Sequence, residues 1–412
     1  MRTKLFMRPL APFLVAALMA PGLAARADVV TEWNARIDEI VTQGNIPNHP
    51  ATRAYAIAQT AVYEAVNAIT QRYPAGALQL PVARGASIDA AVAAANRAAL
   101  ASLLPAQRAA IDAGYAEALA KIADGPERSA GIALGEKAAA AVLAQRADDG
   151  AARPEQYRPH AAAGIYVPTT VPLVPQWPQR RPWLMSSAAQ FRPGPPPALG
   201  SEAWARDYNE VKALGARTSP RRSAEQTEIA RFWEASGPPI YHRVARSVAN
   251  APGRDVTRNA RLFAALCQAT DDAYIAVFDA KYHYNFWRPL TAIRNGDIDG
   301  NDATERDPGW APFVTTPMHP EYPCAHCIIA ATVAAVLQAD VGRDPMPVLT
   351  TTSPTANGAS RSWTTTDGLV REVSDARVFD GVHFRNSSEV GAAMGGQIGR
   401  LAAARLLEKG TP

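Results

Sequence analysis

The 412-residue sequence contains only three cysteines, too few for a disulfide framework that could replace a hydrophobic core. Beyond the N-terminus it has no apolar run long enough to predict a membrane span. The N-terminal half also lacks the alternation of apolar and polar residues that is typical of strands. These absences leave a globular, helix-rich chain with 48% hydrophobic residues.

An excess of positive charge is also missing once the N-terminus is set aside. The formal net charge is +4, but residues 1–27 contain four basic side chains and no acidic one. The rest of the chain is therefore close to neutral, and the sequence pI of about 9.0 does not indicate a nucleic-acid-binding surface.

The N-terminus has the three-part pattern of a secretory signal peptide. Three basic residues precede an apolar run from Ala11 to Ala20, and Ala25-Arg26-Ala27 offers small residues at the two positions that a signal peptidase recognises. We predict that residues 1–27 are a signal peptide and that the mature protein is periplasmic or secreted. An uncleaved N-terminal anchor is the alternative.

The mature chain of about 385 residues is long enough for one large domain or two packed ones. Residues 28–150 form amphipathic helical patterns, and residues 201–412 contain the longest helical patterns and the candidate catalytic residues. Between them, residues 151–200 hold eleven of the 34 prolines, all between 153 and 197. Proline removes backbone donors, so we predict an irregular segment here. Its large apolar side chains, Trp177, Trp183 and Phe191, predict that it packs on the body of the protein.

Three segments carry side chains suited to an oxyanion, and the first is "KYHYNFWRP". Lys281 and Arg288 are seven residues apart, which is two helical turns, so both are predicted on one helix face. Pro289 disfavours helix at Arg288, so we expect this arginine at a frayed helix end, free to turn towards a ligand. Two solvated cations on a surface helix would give the same pattern.

The second segment, "HPEYPCAHC", spans residues 319–327. Its prolines stop any preceding helix, and the apolar run that follows predicts a new one. Cys324, Ala325 and His326 would then lie in a first helical turn, where free N–H groups and the helix dipole favour anions. A histidine at this place can donate a proton to a departing oxygen.

The third segment is "SDARVFDGVHFRNSSEVG". Arg377 ends one predicted helix, Gly381 permits a turn, and His383 precedes the last helix. Arginine forms charge-assisted bonds to oxyanions, and histidine can attack phosphorus or ligate a metal oxide. Together the three segments supply two arginines, one lysine and two histidines, the groups that a five-coordinate phosphoryl transition state requires.

These motifs resemble those of the superfamily that joins vanadium-dependent haloperoxidases with type 2 phosphatidic acid phosphatases and bacterial acid phosphatases. The family pattern is K-x6-R-P, then P-S-G-H, then S-R-x5-H. This chain has Lys281 to Arg288-Pro289, Pro323 to His326, and Ala376-Arg377 to His383. The resemblance is specific over about residues 254–400, and it implies an all-α fold built on helical bundles.

The resemblance also implies a role for each residue. His383 would ligate the vanadium of vanadate or act as the phosphoryl nucleophile, and His326 would be the apical acid–base. His319 lies where bromoperoxidase-type members have a second histidine. The oxyanion would be bound by the following five residues: Lys281, Arg288, Cys324, Ala325 and Arg377.

The chain departs from the family pattern at three positions. Cys324 replaces a serine, Ala325 a glycine and Ala376 a second serine. A thiol is a poor donor and is readily oxidised, so Cys324 favours phosphate-ester hydrolysis over peroxide chemistry.

Because overall similarity favours the haloperoxidase branch, we predict a vanadium-dependent haloperoxidase that binds vanadate and oxidises a halide, bromide in type, with peroxide. The alternative is a phosphatase that hydrolyses phosphate monoesters through a phospho-histidine and needs no cofactor. A non-catalytic oxyanion-binding protein is a further alternative. The sequence does not indicate the oligomeric state.

The pair Cys324 and Cys327 allows two other interpretations, a redox dithiol and a zinc site completed by a histidine. The sequence leaves open whether the two cysteines form a disulfide. The strand-then-helix context of redox dithiols is absent. On a helical turn Cys324 and Cys327 are neighbours, whereas His326 points elsewhere. Cys327 and Cys267 are most simply small core residues.

Overall fold

The computed structural model describes residues 27–76 and 78–408, and about 59% of it is helical, which confirms the all-α fold class. The helices are α1 (Val29–Gln43), α2 (Asn48–Thr70), α3 (Ile88–Leu103), α4 (Arg108–Ala120), α5 (Pro126–Gln145), α6 (Glu202–Leu214), α7 (Ala224–Glu234), α8 (Pro238–Ala249), α9 (Val256–Tyr284), α10 (Pro289–Arg294), α11 (Ala325–Val341), α12 (Thr366–Phe379) and α13 (Arg385–Ala402). Residues Ala403–Leu407 continue α13 as a π-helical turn.

The predicted signal peptide lies outside the described residues, apart from Ala27. Helix α1 begins two residues later, and its cap is Asp28, whose side chain accepts a hydrogen bond from the N–H of Thr31 at 2.9 Å. Such a cap satisfies one of the free donors of a first helical turn. No helix in the described part of the chain is long and apolar enough to cross a membrane.

Helix α9 lies at the centre of the fold and is buried along nearly its whole length. We predicted a helix from about Arg254 to Trp287, and the observed one is a few residues shorter. It begins after Asp255, whose side chain accepts two main-chain hydrogen bonds, and it ends where Asn285 adopts a left-handed conformation with a φ of 50°. Helices α2, α11 and α13 pack against α9, so the N-terminal and C-terminal helices share one hydrophobic core.

The proline-rich segment is anchored by two adjacent carboxylates in the middle of α9. Arg180 donates to both oxygens of Asp271, at 2.6 and 2.9 Å. Asp272 accepts the main-chain N–H groups of three successive residues at 2.6, 2.8 and 2.9 Å: Trp183, Leu184 and Met185. Buried charges require such partners, so this segment is an integral part of the body and not a loose linker.

Helices α11 and α13 pack very closely through glycines on α13. A Cβ at Gly395 would lie 2.2 Å from the main-chain oxygen of Ile328, and one at Gly391 would lie 2.6 Å from that of Cys324. Only glycine permits this approach. Because α13 starts two residues after His383, the contact places that histidine beside the first turn of α11.

A small antiparallel sheet was not predicted. Strand β1 (Leu349–Thr352) pairs with β2 (Ser360–Trp363), with Leu349 opposite Trp363. Each strand has only four residues, too few for a period-two pattern to stand out. The sheet packs on α8, where Thr351 donates its hydroxyl to the main-chain oxygen of Ile240 at 2.8 Å.

Candidate oxyanion site

The second and third predicted segments meet at one cavity of about 180 Å³, and the first segment contacts the second directly behind it. Five of the predicted residues line it: His319, Ala325, His326, Arg377 and His383. Distant parts of the chain complete the wall, and they include Asn48, His49, Leu173, Glu234, Ser236, Gly237, Tyr241, Tyr274 and Phe278. Lys281 and Arg288 lie directly behind this wall, in hydrogen-bond contact with the segment that carries His319.

Arg288 is neither on α9 nor at a frayed helix end, so both parts of that expectation were wrong. The chain turns at Asn285 and a new helix starts at Pro289, which makes Arg288 the N-cap of α10. Only 1% of Arg288 is exposed. Its Nε donates to the main-chain oxygen of His319 at 2.9 Å and its Nη1 to that of Val382 at 2.7 Å. The guanidinium is therefore held rigidly between the second and third segments.

Arg288 also contacts two histidines directly. Its Nη1 lies 3.2 Å from Nε2 of His383, and its Nη2 lies 3.0 Å from Nδ1 of His319. A guanidinium can only donate, so Nε2 of His383 faces it as an acceptor, whereas Nδ1 of His319 also lies 3.1 Å from the main-chain oxygen of Pro320. Burial lowers the pKa of His319 and of His383 well below the usual value, and the nearby cations Lys281 and Arg288 lower it further. Both imidazoles are therefore neutral.

Lys281 is fully buried near the C-terminal end of α9. Its Nζ donates to the main-chain oxygens of Pro320 at 3.0 Å and Glu321 at 2.8 Å. An ammonium has three donors, so one remains for a ligand. Burial lowers the pKa of Lys281 well below its usual value, and the Arg288 guanidinium adds to this effect.

Glu321 is a site residue that sequence reasoning missed. Its Oε1 lies 2.7 Å from Nδ1 of His383 and accepts the N–H of Phe384 at 3.1 Å. Burial raises the pKa of Glu321 to about 7, although Arg288 and Lys281 oppose this shift. Its position inside "HPEYPCAHC" was a signal, because a buried glutamate among prolines requires a partner.

His326 lies in the first turn of α11, as predicted from the sequence. Burial lowers its pKa well below the usual value, with further lowering by Arg377. Its Nε2 is buried and has no hydrogen-bond partner among residues 27–76 and 78–408. A buried polar atom of this kind costs roughly 1–3 kcal/mol when nothing pairs with it.

Arg377 ends α12 and is held by the ion pair of its Nη1 with Asp380 at 2.8 Å. The same nitrogen donates to the main-chain oxygen of Trp233 at 2.7 Å. Its Nε is buried and has no partner in the described part of the chain. Burial raises the pKa of Asp380 to about 7, against the lowering effect of Arg377. Asp380, like Glu321, was not identified from the sequence, since its role depends on packing across several helices.

Cys324 forms a disulfide with Cys327. Its Sγ still caps α11 by accepting the N–H of Cys327 at 3.1 Å. The thiol that was expected to donate a hydrogen bond at this position is therefore absent. Ala325 still offers an anion the N–H of its main chain, in the first turn of α11. Thiolates for zinc are also missing, and no cluster of metal-ligating side chains is found in the described residues.

His49 is another residue that the sequence did not single out. It begins α2, lines the cavity and packs edge-on against Tyr274 and Phe278 with ring centroids 4.9 and 4.7 Å apart. Burial lowers its pKa to about 3, and its Nε2 has no partner within the described residues. Contacts between residue 49 and a helix more than 200 residues later are not readable from one sequence.

An oxyanion such as vanadate fits the groups on this wall. Arg377 lines the cavity and Lys281 and Arg288 lie directly behind it, while the carboxylates of Glu321 and Asp380 are engaged by His383 and Arg377. The unpartnered Nε2 of His326 and Nε of Arg377 are the kind of buried polar atoms that an anion would satisfy.

Comparison with known proteins is consistent with this geometry. Residues 261–409 match a family model described as the VCPO second helical-bundle domain. Vanadium chloroperoxidase from Curvularia inaequalis is 29% identical over 172 residues, which is 34% of this chain and 28% of that relative. The chain thus matches less than a third of the length of the curated relative.

The fold as a whole is similar to solved structures. The first bacterial vanadium-dependent iodoperoxidase superposes with a TM-score of 0.79 at 24% identity, covering 92% of this chain and 96% of the other. An apo-type bacterial vanadium-dependent chloroperoxidase gives a TM-score of 0.72 at 17% identity, covering 88% and 94%. The resemblance to the vanadium-dependent haloperoxidase superfamily is therefore confirmed, in sequence over residues 261–409 and in fold over most of the chain.

Proposed function

We propose that this protein is a vanadium-dependent haloperoxidase, which binds vanadate in the 180 Å³ cavity and oxidises a halide with hydrogen peroxide. The observation that carries the proposal is a cavity lined by Arg377, His326 and His383, with Lys281 and Arg288 buried directly behind it. The family match over residues 261–409 and the similar fold of bacterial vanadium haloperoxidases support it.

The residues that would hold vanadate follow from the free atoms of the site. His383 would ligate vanadium through Nε2, the nitrogen not held by Glu321, in place of the contact that Nε2 makes with Nη1 of Arg288. The remaining N–H of Lys281, the Nε of Arg377 and the Arg288 guanidinium would bind the oxygens, together with the N–H of Ala325. Bound vanadate supplies a Lewis-acidic centre that activates peroxide towards a halide.

His326 is placed to move the proton in this reaction. Its ring is neutral because burial and Arg377 lower its pKa, so Nε2 can accept a proton from hydrogen peroxide that enters the cavity. The imidazolium formed can return that proton to an oxygen that leaves as water. The same atom then serves as base and as acid.

The disulfide removes the chemical objection to peroxide chemistry at this site. The bonded sulfur of Cys324 has no thiol to be oxidised by peroxide or hypohalous acid. The remaining cysteine, Cys267, is fully buried, and burial raises the pKa of its thiol well above the usual value. The argument that favoured phosphate-ester hydrolysis thereby loses its basis.

Bromide is the halide that we propose. The support is His319, which the resemblance associates with bromoperoxidase-type members and which here lies 3.0 Å from Arg288. Peroxide and bromide are thus the small-molecule substrates to assay first, with iodide and chloride as comparisons.

Phosphate-ester hydrolysis is the second candidate function. A neutral His383 whose Nδ1 is held by a carboxylate is also a suitable nucleophile towards phosphorus. In that case His326 would protonate the leaving alcohol and no cofactor would be needed.

The test is bromide-dependent consumption of peroxide by the mature protein, loaded with vanadate in phosphate-free buffer. We expect sustained turnover that His383→Ala abolishes. His283→Ala, at an exposed histidine of α9, is the matched control and should leave turnover unchanged. If protein that binds vanadate consumes no peroxide but hydrolyses p-nitrophenyl phosphate, the phosphatase is the correct function.

We also propose that the protein is exported. A disulfide is typical of an oxidising compartment, and cleavage after Ala27 would leave the Asp28 cap of α1 intact. Intact-mass analysis of periplasmic material should give a chain that starts at Asp28. A mass that includes residues 1–27 would contradict this proposal.

A further inference from the structure

Glu321, in the second segment of the site, contacts the third segment through its side chain and the first through its main chain. The side chain accepts from Nδ1 of His383 at 2.7 Å, and the main-chain oxygen accepts from Nζ of Lys281 at 2.8 Å. Both Glu321 and His383 are almost fully buried, at 0% and 1% exposure. We propose that Glu321 is the positioning residue of the oxyanion site, which fixes the tautomer and orientation of His383; the inference rests on the proposed oxyanion-binding role of that histidine.

The tautomer of His383 is determined from both sides of the ring. Arg288 approaches Nε2 at 3.2 Å and can only donate, so Nε2 carries the lone pair. The proton of the neutral ring must then be on Nδ1, where Oε1 of Glu321 accepts it. The lone pair that would bind vanadium, or attack phosphorus, is thus directed away from Glu321 and towards the cations.

Ser387 is the other possible hydrogen-bond partner of Nδ1 of His383, but it lies farther from this nitrogen than Glu321 does. Its hydroxyl oxygen lies 3.3 Å from Nδ1, compared with 2.7 Å for Oε1 of Glu321. Oε1 is itself held by the N–H of Phe384, the residue that follows His383, at 3.1 Å. The glutamate therefore fixes the ring relative to its own main chain, which a single hydroxyl contact cannot do.

Second-sphere carboxylates of this kind raise the basicity of a ligating histidine and fix its orientation, and their loss weakens metal binding by roughly 10- to 100-fold. Glu321→Ala should accordingly raise the vanadate dissociation constant at least about tenfold. Glu321→Gln keeps an acceptor for Nδ1–H and should stay within about threefold of the native protein. Glu389→Ala, at an exposed glutamate of α13, is the matched control and should also change binding by less than about threefold.

A double-mutant cycle separates positioning from a structural role. Vanadate binding is titrated by calorimetry and by ⁵¹V NMR, without peroxide or halide, in the full mature chain. If Glu321 acts through His383, Glu321→Ala weakens binding in the native background but not in the His383→Ala background. Equal weakening in both backgrounds, or no weakening in the native one, would overturn the proposal.

Direct observation of the tautomer covers the case in which Glu321→Ala does not fold. In the native protein, ¹⁵N-labelled histidine signals, with His383 assigned from the His383→Ala variant, should give a proton on Nδ1. A proton on Nε2 would refute the proposal. Because neither measurement uses turnover, a protein that binds vanadate as described but oxidises no halide would reject the haloperoxidase function alone.

Discussion

The ion pair between Arg180 and Asp271, which anchors the proline-rich segment, predicts how much its loss would lower the free energy of unfolding. Arg180 is fully buried and donates to both oxygens of Asp271, at 2.6 and 2.9 Å, and to Asp149 at 2.9 Å. Replacing it by methionine preserves much of its volume but removes all three bonds. Asp149 retains Arg53 at 2.8 Å, whereas Asp271 retains only the indole N–H of Trp183, also at 2.8 Å.

Arg180→Met therefore leaves one buried carboxylate, Asp271, without a directly bonded counter-charge. Loss of one partner of a buried ion pair costs about 3–5 kcal/mol, so we expect the free energy of unfolding at pH 7 to fall by that amount. The measurement is urea unfolding followed by circular dichroism. Arg181→Met, at the exposed neighbouring arginine, is the control and should change stability by less than about 0.5 kcal/mol.

A second substitution tests the reason for the loss. In Arg180→Met the added change Asp271→Asn removes the unpaired charge and keeps an acceptor for Trp183, so it should restore part of the lost stability. A single-variant loss below about 1 kcal/mol, or a double variant that is destabilised by the sum of both changes, would refute the reasoning.

Three further predictions concern the oxyanion site. Cys324→Ser with Cys327→Ala restores a hydroxyl donor in the first turn of α11, so calorimetry should measure vanadate binding about tenfold tighter, and unchanged affinity would contradict this. Burial raises the pKa of Glu321 to about 7, so this carboxyl holds a proton more readily in the native than in the unfolded state between about pH 4 and 7. The unfolding free energy of the native protein relative to Glu321→Gln, measured by urea titration without vanadate, should therefore fall by up to about 3 kcal/mol as pH rises from 5 to 8, and a flat difference would count against it. Burial lowers the pKa of the site histidines, which acts in the opposite sense but in both proteins, so it cancels in this difference. Gly395→Ala places a Cβ 2.2 Å from a main-chain oxygen of α11 and should cost about 1–3 kcal/mol and weaken vanadate binding, whereas Gly396→Ala meets only the flexible end of Arg400 and should do neither.

The sequence predicted those features that depend on local spacing. The start of α11 at Ala325 follows from prolines before an apolar run. The R-x5-H spacing indicated residues that line the cavity, and the K-x6-R-P spacing indicated residues directly behind it. The anchoring of the proline-rich segment was expected only in outline. Its large apolar residues predicted contact, but not the pair of aspartates that fixes it.

The features that the sequence did not predict depend on contacts between distant residues. Glu321 and His383 are 62 residues apart, and nothing local indicates that their side chains meet. Arg288 was placed on α9 because spacing alone cannot reveal the left-handed turn at Asn285. The pairing of Cys324 with Cys327 was left open for a related reason, since neighbouring thiols on a helical turn do not by themselves indicate their oxidation state.

The two sides of the cavity wall are encoded in different parts of the chain. The cations and histidines that suit an oxyanion all lie between residues 281 and 383, whereas His49, Leu173 and Tyr241 come from α2, the proline-rich segment and α8. In the proposed function, the first set would bind the cofactor and the second would face the molecule to be oxidised, so the two sets can diverge independently. The family match over residues 261–409 includes the first set and leaves out His49, Leu173 and Tyr241. Substitutions at residues 49 and 173 should therefore alter substrate choice while the cations and histidines stay in place.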